Sequence, residues 1–157
     1  MLIIFDLDDT LYDRTGQVPD NYTKEDIQKI TLFPQVKEFL QAFSGKKILV
    51  TKETDPGLQN RKIHSLGLRG YFDQIIICHS AEEKKDAFQN IKQSFPGEEI
   101  VVVGDRLDQE IKYGKELGLK TVWLRHGNHN ERLPQQFGEV PDHQITEFSE
   151  FPALLPG

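Results

Sequence analysis

The sequence predicts an α/β fold, a Rossmann-like three-layer arrangement around a parallel central sheet. Two observations carry this expectation. Short apolar runs recur along the chain, and they are continuous rather than alternating, as in strands covered on both faces. Amphipathic stretches with helix start and stop signals lie between them, and this alternation is the pattern of parallel strands joined by helical crossovers.

The first strand is LIIF, residues 2–5. A long polar connection, 12–32, follows it. FPQVKEFLQAF, 33–43, reads as a helix with Pro34 near its start and Val36, Phe39, Leu40 and Phe43 on its apolar face. KILV at 47–50 is the second strand, and 57–66 is a helix ending before Gly67. IIIC at 75–78 is the third strand. Ser80 and Glu83 predict a capping box ahead of a helix carrying Ala87, Phe88, Ile91 and Phe95. IVVV at 100–103 precedes a helix over 107–117, stopped by Gly118, and TVWL at 121–124 is the fifth strand. After a second polar connection, 126–142, HQIT at 143–146 reads as an edge strand and FSEFPALL at 148–155 as a short terminal helix.

The 157 residues suit one domain, 1–157, within which 12–32 is too short for anything beyond a small lid. A net charge of −6 offers no basic stripe for nucleic acid. It leaves room for a small anionic substrate, because a bound cation inverts the local sign. The single cysteine, Cys78, forms no internal disulfide. With no leader-like start and no long apolar run, the expected setting is cytoplasmic and away from membranes.

The chemistry gathers at strand ends. Asp6 and Asp8 in FDLDDT follow the first strand, and residues two apart in extended chain face the same side. Two such carboxylates repel each other unless a cation or a shared proton relieves them. Magnesium, which prefers oxygen ligands, fits that need. Asp105 follows Gly104 at the end of the fourth strand, where glycine permits a tight turn and close backbone approach. Thr51 follows the second strand, and Lys84 or Lys85 follows the third. Their hydroxyl and ammonium groups suit a phosphate. The competing reading makes these acids helix caps and solvated turns, and for Asp9 a turn or cap role is the better expectation.

LIIFDLDDT, ILVT, the lysine pair and GDRLDQE together resemble the haloacid dehalogenase-like (HAD) hydrolase superfamily, whose members are mostly magnesium-dependent phosphatases. The resemblance implies that Asp6 is the nucleophile, forming an aspartyl-phosphate, and that Asp8 is the general acid and then the base. It implies that Thr51 and a lysine, in better register Lys84, orient the phosphoryl group. It places Mg2+ on Asp6, the backbone carbonyl of Asp8, and Asp105. Three departures stand out. Glu110 occupies a position where the family usually has Asp, and Lys52-Glu53 replace a common Asn-Gly. The gaps between motifs leave room only for a minimal or absent cap. An open site of that kind suits a phosphorylated small molecule or phosphoprotein, or a lid lent by a second subunit of a homo-oligomer. A haloacid dehalogenase has no need of Asp8, and a response-regulator receiver needs an aspartate and a lysine at strand ends that lack them here. The rival from another class is a non-catalytic or regulatory phosphate-binding protein on the same fold. The histidines of HGNHN, in a Gly/Asn-rich loop, read as solvated rather than as zinc ligands.

Overall fold

The computed structural model describes residues 1–156. Its strands are β1 Leu2–Phe5, β2 Lys46–Lys52, β3 Gln74–Cys78, β4 Ile100–Gly104, β5 Lys120–Leu124 and β6 His143–Ile145. They form one six-stranded sheet in the order β3-β2-β1-β4-β5-β6, and every pairing is parallel. The helices are α1 Arg14–Gln17, α2 Lys24–Gln28, α3 Val36–Ala42, α4 Leu58–Ser65, α5 Ala81–Ser94 and α6 Lys112–Glu116.

Side-chain alternation along the strands assigns the two faces. Ile3, Phe5, Leu49, Val101 and Val103 point to one side and pack with α3, α4 and the C-terminal aromatic pair Phe148 and Phe151. Leu2, Ile4, Ile48, Val50 and Val102 point to the other and meet Ala87, Phe88 and Ile91 of α5 and Tyr113 of α6. Each fully buried Phe or Leu contributes about 1.5–3 kcal/mol, so both helical layers are held by burial rather than by propensity. Continuous apolar strands therefore mean what the sequence suggested, a sheet covered on both sides.

Four local expectations are corrected. The 107–117 helix opens as a π-helical turn, Leu107–Ile111, before α6 begins. The 33–43 helix forms only over α3, because Gln35 takes a left-handed conformation at its start (φ 70°). At Ser80 the capping box is half made. The Ser80 hydroxyl accepts from the Glu83 N–H at 3.1 Å, but the Glu83 carboxylate reaches past it to the His79 N–H at 2.7 Å. The terminal helix is replaced by two 3-10 turns, Phe148–Glu150 and Pro152–Leu154. Pro152 carries no N–H and cannot continue a helical ladder.

Residues 12–32 fold back on themselves. Tyr12 bridges Leu32 in antiparallel fashion, and Ile27 and Ile30 enter the core. Thr23 and Asp26 complete a reciprocal capping box for α2. Among the described residues no helix is long and apolar enough to cross a membrane.

Candidate active site

The chain winds from β1 to β2 and β3, then crosses back to β4 on the other side of β1. The carboxyl ends of β1 and β4 are thus the switch point of the sheet, where the diverging connections leave a crevice. The ladder holds these ends together up to the site itself, with the Asp6 N–H donating to the Val103 carbonyl at 3.1 Å.

Four buried charged groups meet there. Lys84, 2% exposed, donates to Asp6 Oδ1 at 2.9 Å and to Glu110 Oε1 at 2.5 Å. Thr10 Oγ1 donates to Asp6 Oδ2 at 3.3 Å. Asp6, Asp105 and Glu110 each place one carboxylate oxygen within 4.8 Å of the others. The lysine ambiguity is resolved by the helical face: Lys84 turns into the site, whereas Lys85 pairs with Glu116 on the surface at 3.5 Å.

Gly104 and the π turn explain Glu110. A Cβ on Gly104 would lie 2.5 Å from Glu110 Cγ, so the glycine leaves the space into which the longer side chain folds. The second carboxylate oxygen of Glu110 accepts from the Arg106 N–H at 3.1 Å. Asp105 is steadied from behind, where Trp123 Nε1 donates to its backbone carbonyl at 2.9 Å. The turn that follows starts at Arg106 without a side-chain cap, so neither Asp105 nor Asp108 caps it, and Asp108 pairs with Arg106.

The electrostatics are unbalanced. Burial, then the charges of Asp6 and Glu110, push the Asp105 carboxyl well above the usual carboxylate range. Burial and Asp6 also push Glu110 up, against the pull of Lys84. For Lys84, burial disfavours the ammonium, but Asp6 and Glu110 outweigh it and hold the group above its ordinary value. One ammonium faces three buried carboxylates, so the cluster needs further positive charge or a proton. All three acids offer oxygen, the donor type that magnesium prefers, so the residues fit that ion. Glu110 belongs to this set together with the expected Asp6 and Asp105. The Asp8 side chain does not.

Asp8 lies across the cleft in a different environment. Its Oδ1 accepts from Tyr12 Oη at 2.6 Å and Lys62 Nζ at 2.8 Å, and its Oδ2 accepts from Gln59 Nε2 at 3.1 Å. The same amide nitrogen donates to Thr51 Oγ1 at 2.7 Å. Thr51 is the penultimate residue of β2, not a residue after it, and it is buried. The unusual Lys52-Glu53 pair also finds an explanation. Lys52 lines the cleft. Glu53 turns inward and accepts from the N–H groups of Gly57 at 3.2 Å and Gln59 at 2.9 Å. Glu53 thereby caps α4, which starts without a side-chain cap of its own. Sequence reasoning missed Gln59, Lys62 and Tyr12. The only available signal was two polar residues three apart on one helix.

Asp9 serves a turn. It sits in the left-handed region (φ 57°), and its carboxylate accepts from the Thr15 N–H at 2.9 Å and Oγ1 at 2.7 Å. His126 is tied down rather than solvated, with Nε2 2.8 Å from Asp13 Oδ1. Asp9, Asp13 and His126 are close enough to share a cation, but both carboxylates already take protein donors. The cleft at these strand ends is small, about 180 Å³, and Asp6, Asp8, Lys52, Lys84, Asp105 and Arg106 line it. A wider hollow of about 820 Å³ around Phe95 and Pro96 borders the opposite ends of β4 and β5 and lacks a comparable charged cluster.

Comparison with known proteins points to one family. A family model described as haloacid dehalogenase-like hydrolase matches residues 21–118. LIIFDLDDT lies ahead of that segment, so the first acidic motif is a separate sign of the same kinship. Human N-acylneuraminate-9-phosphatase is 31% identical over 137 residues, 82% of this chain and 54% of the relative. Glyceraldehyde 3-phosphate phosphatase of Pyrococcus furiosus is 31% identical over 111 residues, 68% of this chain and 46% of the relative. The chain thus spans about half the length of the curated relatives it matches. Among solved structures, the HAD-hydrolase YfnB of Bacillus subtilis, bound to magnesium, superposes with a TM-score of 0.74 at 15% identity, over 99% of this chain and 98% of that one. L-2-haloacid dehalogenase of Xanthobacter autotrophicus does so with a TM-score of 0.68 at 13% identity, over 98% and 97%. At these identities the superpositions speak for the fold alone.

Proposed function

The chain belongs to the haloacid dehalogenase-like hydrolase family, and from that premise we propose that it is a magnesium-dependent phosphatase acting on a phosphate monoester through an aspartyl-phosphate. The observation that carries this reading is the separation of the two motif aspartates. Asp6 lies among Lys84, Asp105 and Glu110, while Asp8 stands apart beside Thr51 with its own donors.

Asp6 supplies the nucleophile. One carboxylate oxygen forms a bond to phosphorus as the ester P–O bond breaks. Lys84 orients Asp6 through its bond to Oδ1, and its charge favours approach of a phosphate. Asp8 gives a proton to the departing oxygen. It then takes a proton from water, whose oxygen bonds to phosphorus as the bond to Asp6 breaks. Free phosphate leaves, and Asp6 is restored. Thr51 orients the transferring group through its hydroxyl. Asp6 and Asp105, with the Asp8 backbone carbonyl and with Glu110 close by, would hold magnesium, which supplies charge neutralisation for the phosphoryl oxygens when bound.

The named relatives act on small phosphorylated compounds, which favours a small phosphorylated metabolite over a phosphoprotein. The test is acid quenching after mixing with a 32P-labelled ester in magnesium. Wild-type protein should carry transient label, Asp8→Asn should accumulate it, and Asp6→Asn should carry none. Phosphate binding with no label and no turnover in wild type would favour a non-catalytic binding protein.

A further inference from the structure

Lys62 is a lysine at an unusual place. It sits on the inner face of α4 and is 2% exposed, although a buried ammonium is costly unless paired. Among the described residues its one carboxylate partner within 4.0 Å is Asp8, at 2.8 Å. Its ammonium also lies 5.8 Å from the centre of the Tyr12 ring, and the Tyr12 hydroxyl donates to the same oxygen, Asp8 Oδ1. Lys84 cannot serve Asp8, being taken by Asp6 and Glu110.

The two oxygens of Asp8 are therefore unequal. Oδ1 receives an ammonium and a phenol. Oδ2 receives only the Gln59 amide, which at the same time reaches Thr51 Oγ1. Oδ2 thus lies on the Thr51 side, toward the place proposed for the phosphoryl group. An aspartate turning freely about its side-chain bonds would present either oxygen, at a cost in productive encounters. We propose that Lys62, together with Tyr12, is a positioning residue that pins Oδ1 of Asp8 and so presents Oδ2 to the leaving oxygen. This rests on the reading of Asp8 as acid and base.

The experiment compares phenyl phosphate with p-nitrophenyl phosphate, two esters of similar shape whose leaving groups differ in their need for a proton. Single-turnover rates are measured for wild type, Lys62→Met, Lys62→Arg, Asp8→Asn and the double variant. Lys62→Met should slow phenyl phosphate about tenfold more than p-nitrophenyl phosphate, with KM nearly unchanged. Lys62→Arg should recover part of that loss. In the Asp8→Asn background, Lys62→Met should add no further discrimination. Equal slowing of both esters by Lys62→Met, or discrimination that persists without Asp8, would overturn the positioning role while leaving the acid–base reading intact. Equal slowing by Asp8→Asn itself would remove the acid–base reading and this inference with it. Should Lys62→Met fail to fold, Tyr12→Phe removes only the second donor to Oδ1. It must then show the same discrimination between esters, and its absence would likewise overturn the proposal.

Discussion

The two sides of the cleft treat a carboxylate in opposite ways. On the β1–β4 side, Asp6, Asp105 and Glu110 crowd together and one lysine, Lys84, pairs with two of them, all four groups buried. On the β2–α4 side, one carboxylate, Asp8, has three protein donors to itself. The first side has too little positive charge and the second has its needs met. A site that must attract a cation and a phosphate gains from an acid cluster left short of charge. An aspartate that must face one direction gains from donors that fix it. The difference between the two lysines follows. Lys84 neutralises part of a cluster, and Lys62 holds a single partner.

The largest effect expected is on activity. Asp6→Asn should reduce hydrolysis of p-nitrophenyl phosphate at least about a thousandfold while circular dichroism shows an unchanged fold. Residual activity near wild type would dissolve the distinction between the two sides.

Lys84→Met should come next. It leaves three buried carboxylates without their counter-charge, at a cost of about 3–5 kcal/mol in urea unfolding without magnesium. Added magnesium should recover part of the loss. Lys62→Met belongs at the other end of the scale. The Asp8 side chain it abandons is 29% exposed and keeps Tyr12 and Gln59, so the change should stay within about 1 kcal/mol. Equal costs for the two lysines would refute the contrast.

Between these lies the response to magnesium. Asp105 and Glu110 hold protons in the folded chain above their ordinary values of 3.8 and 4.5. Without metal, their contribution to stability is present below those ordinary values and is lost as pH rises through the raised folded ones. Magnesium binds the ionised carboxylates. The stabilisation it adds, read from urea unfolding, should therefore grow from about pH 5 to about pH 7.5, reaching roughly 2.7 kcal/mol at about a hundred times Kd. Glu110→Gln should reduce the growth with pH. A stabilisation independent of pH would mean that these acids are not the ones magnesium needs. Gly104→Ala should cost about 1–3 kcal/mol, because its Cβ collides with Glu110. Relief of that cost in Gly104→Ala/Glu110→Ala would confirm the close approach.

By itself the sequence determined the sheet, its parallel sense and the acidic ends of two strands. Apolar runs such as LIIF and IVVV admit few other readings, and a carboxylate immediately after a buried strand stands at its end. It did not determine that the 107–117 helix would begin with a π turn, because that turn depends on Glu110 fitting over a glycine six residues earlier in the chain. Nor did it determine which lysine enters the site, since Lys84 and Lys85 differ only by the 100° that separates neighbours on a helix. Gln59 and Lys62 were the least legible of all. They lie more than 50 residues from Asp8 in the chain and reach it only because β2 pairs beside β1 and Glu53 caps the start of α4. A local pattern can specify a strand or a motif. A contact across such a distance is decided by strand order and packing, and for that the tertiary structure was required.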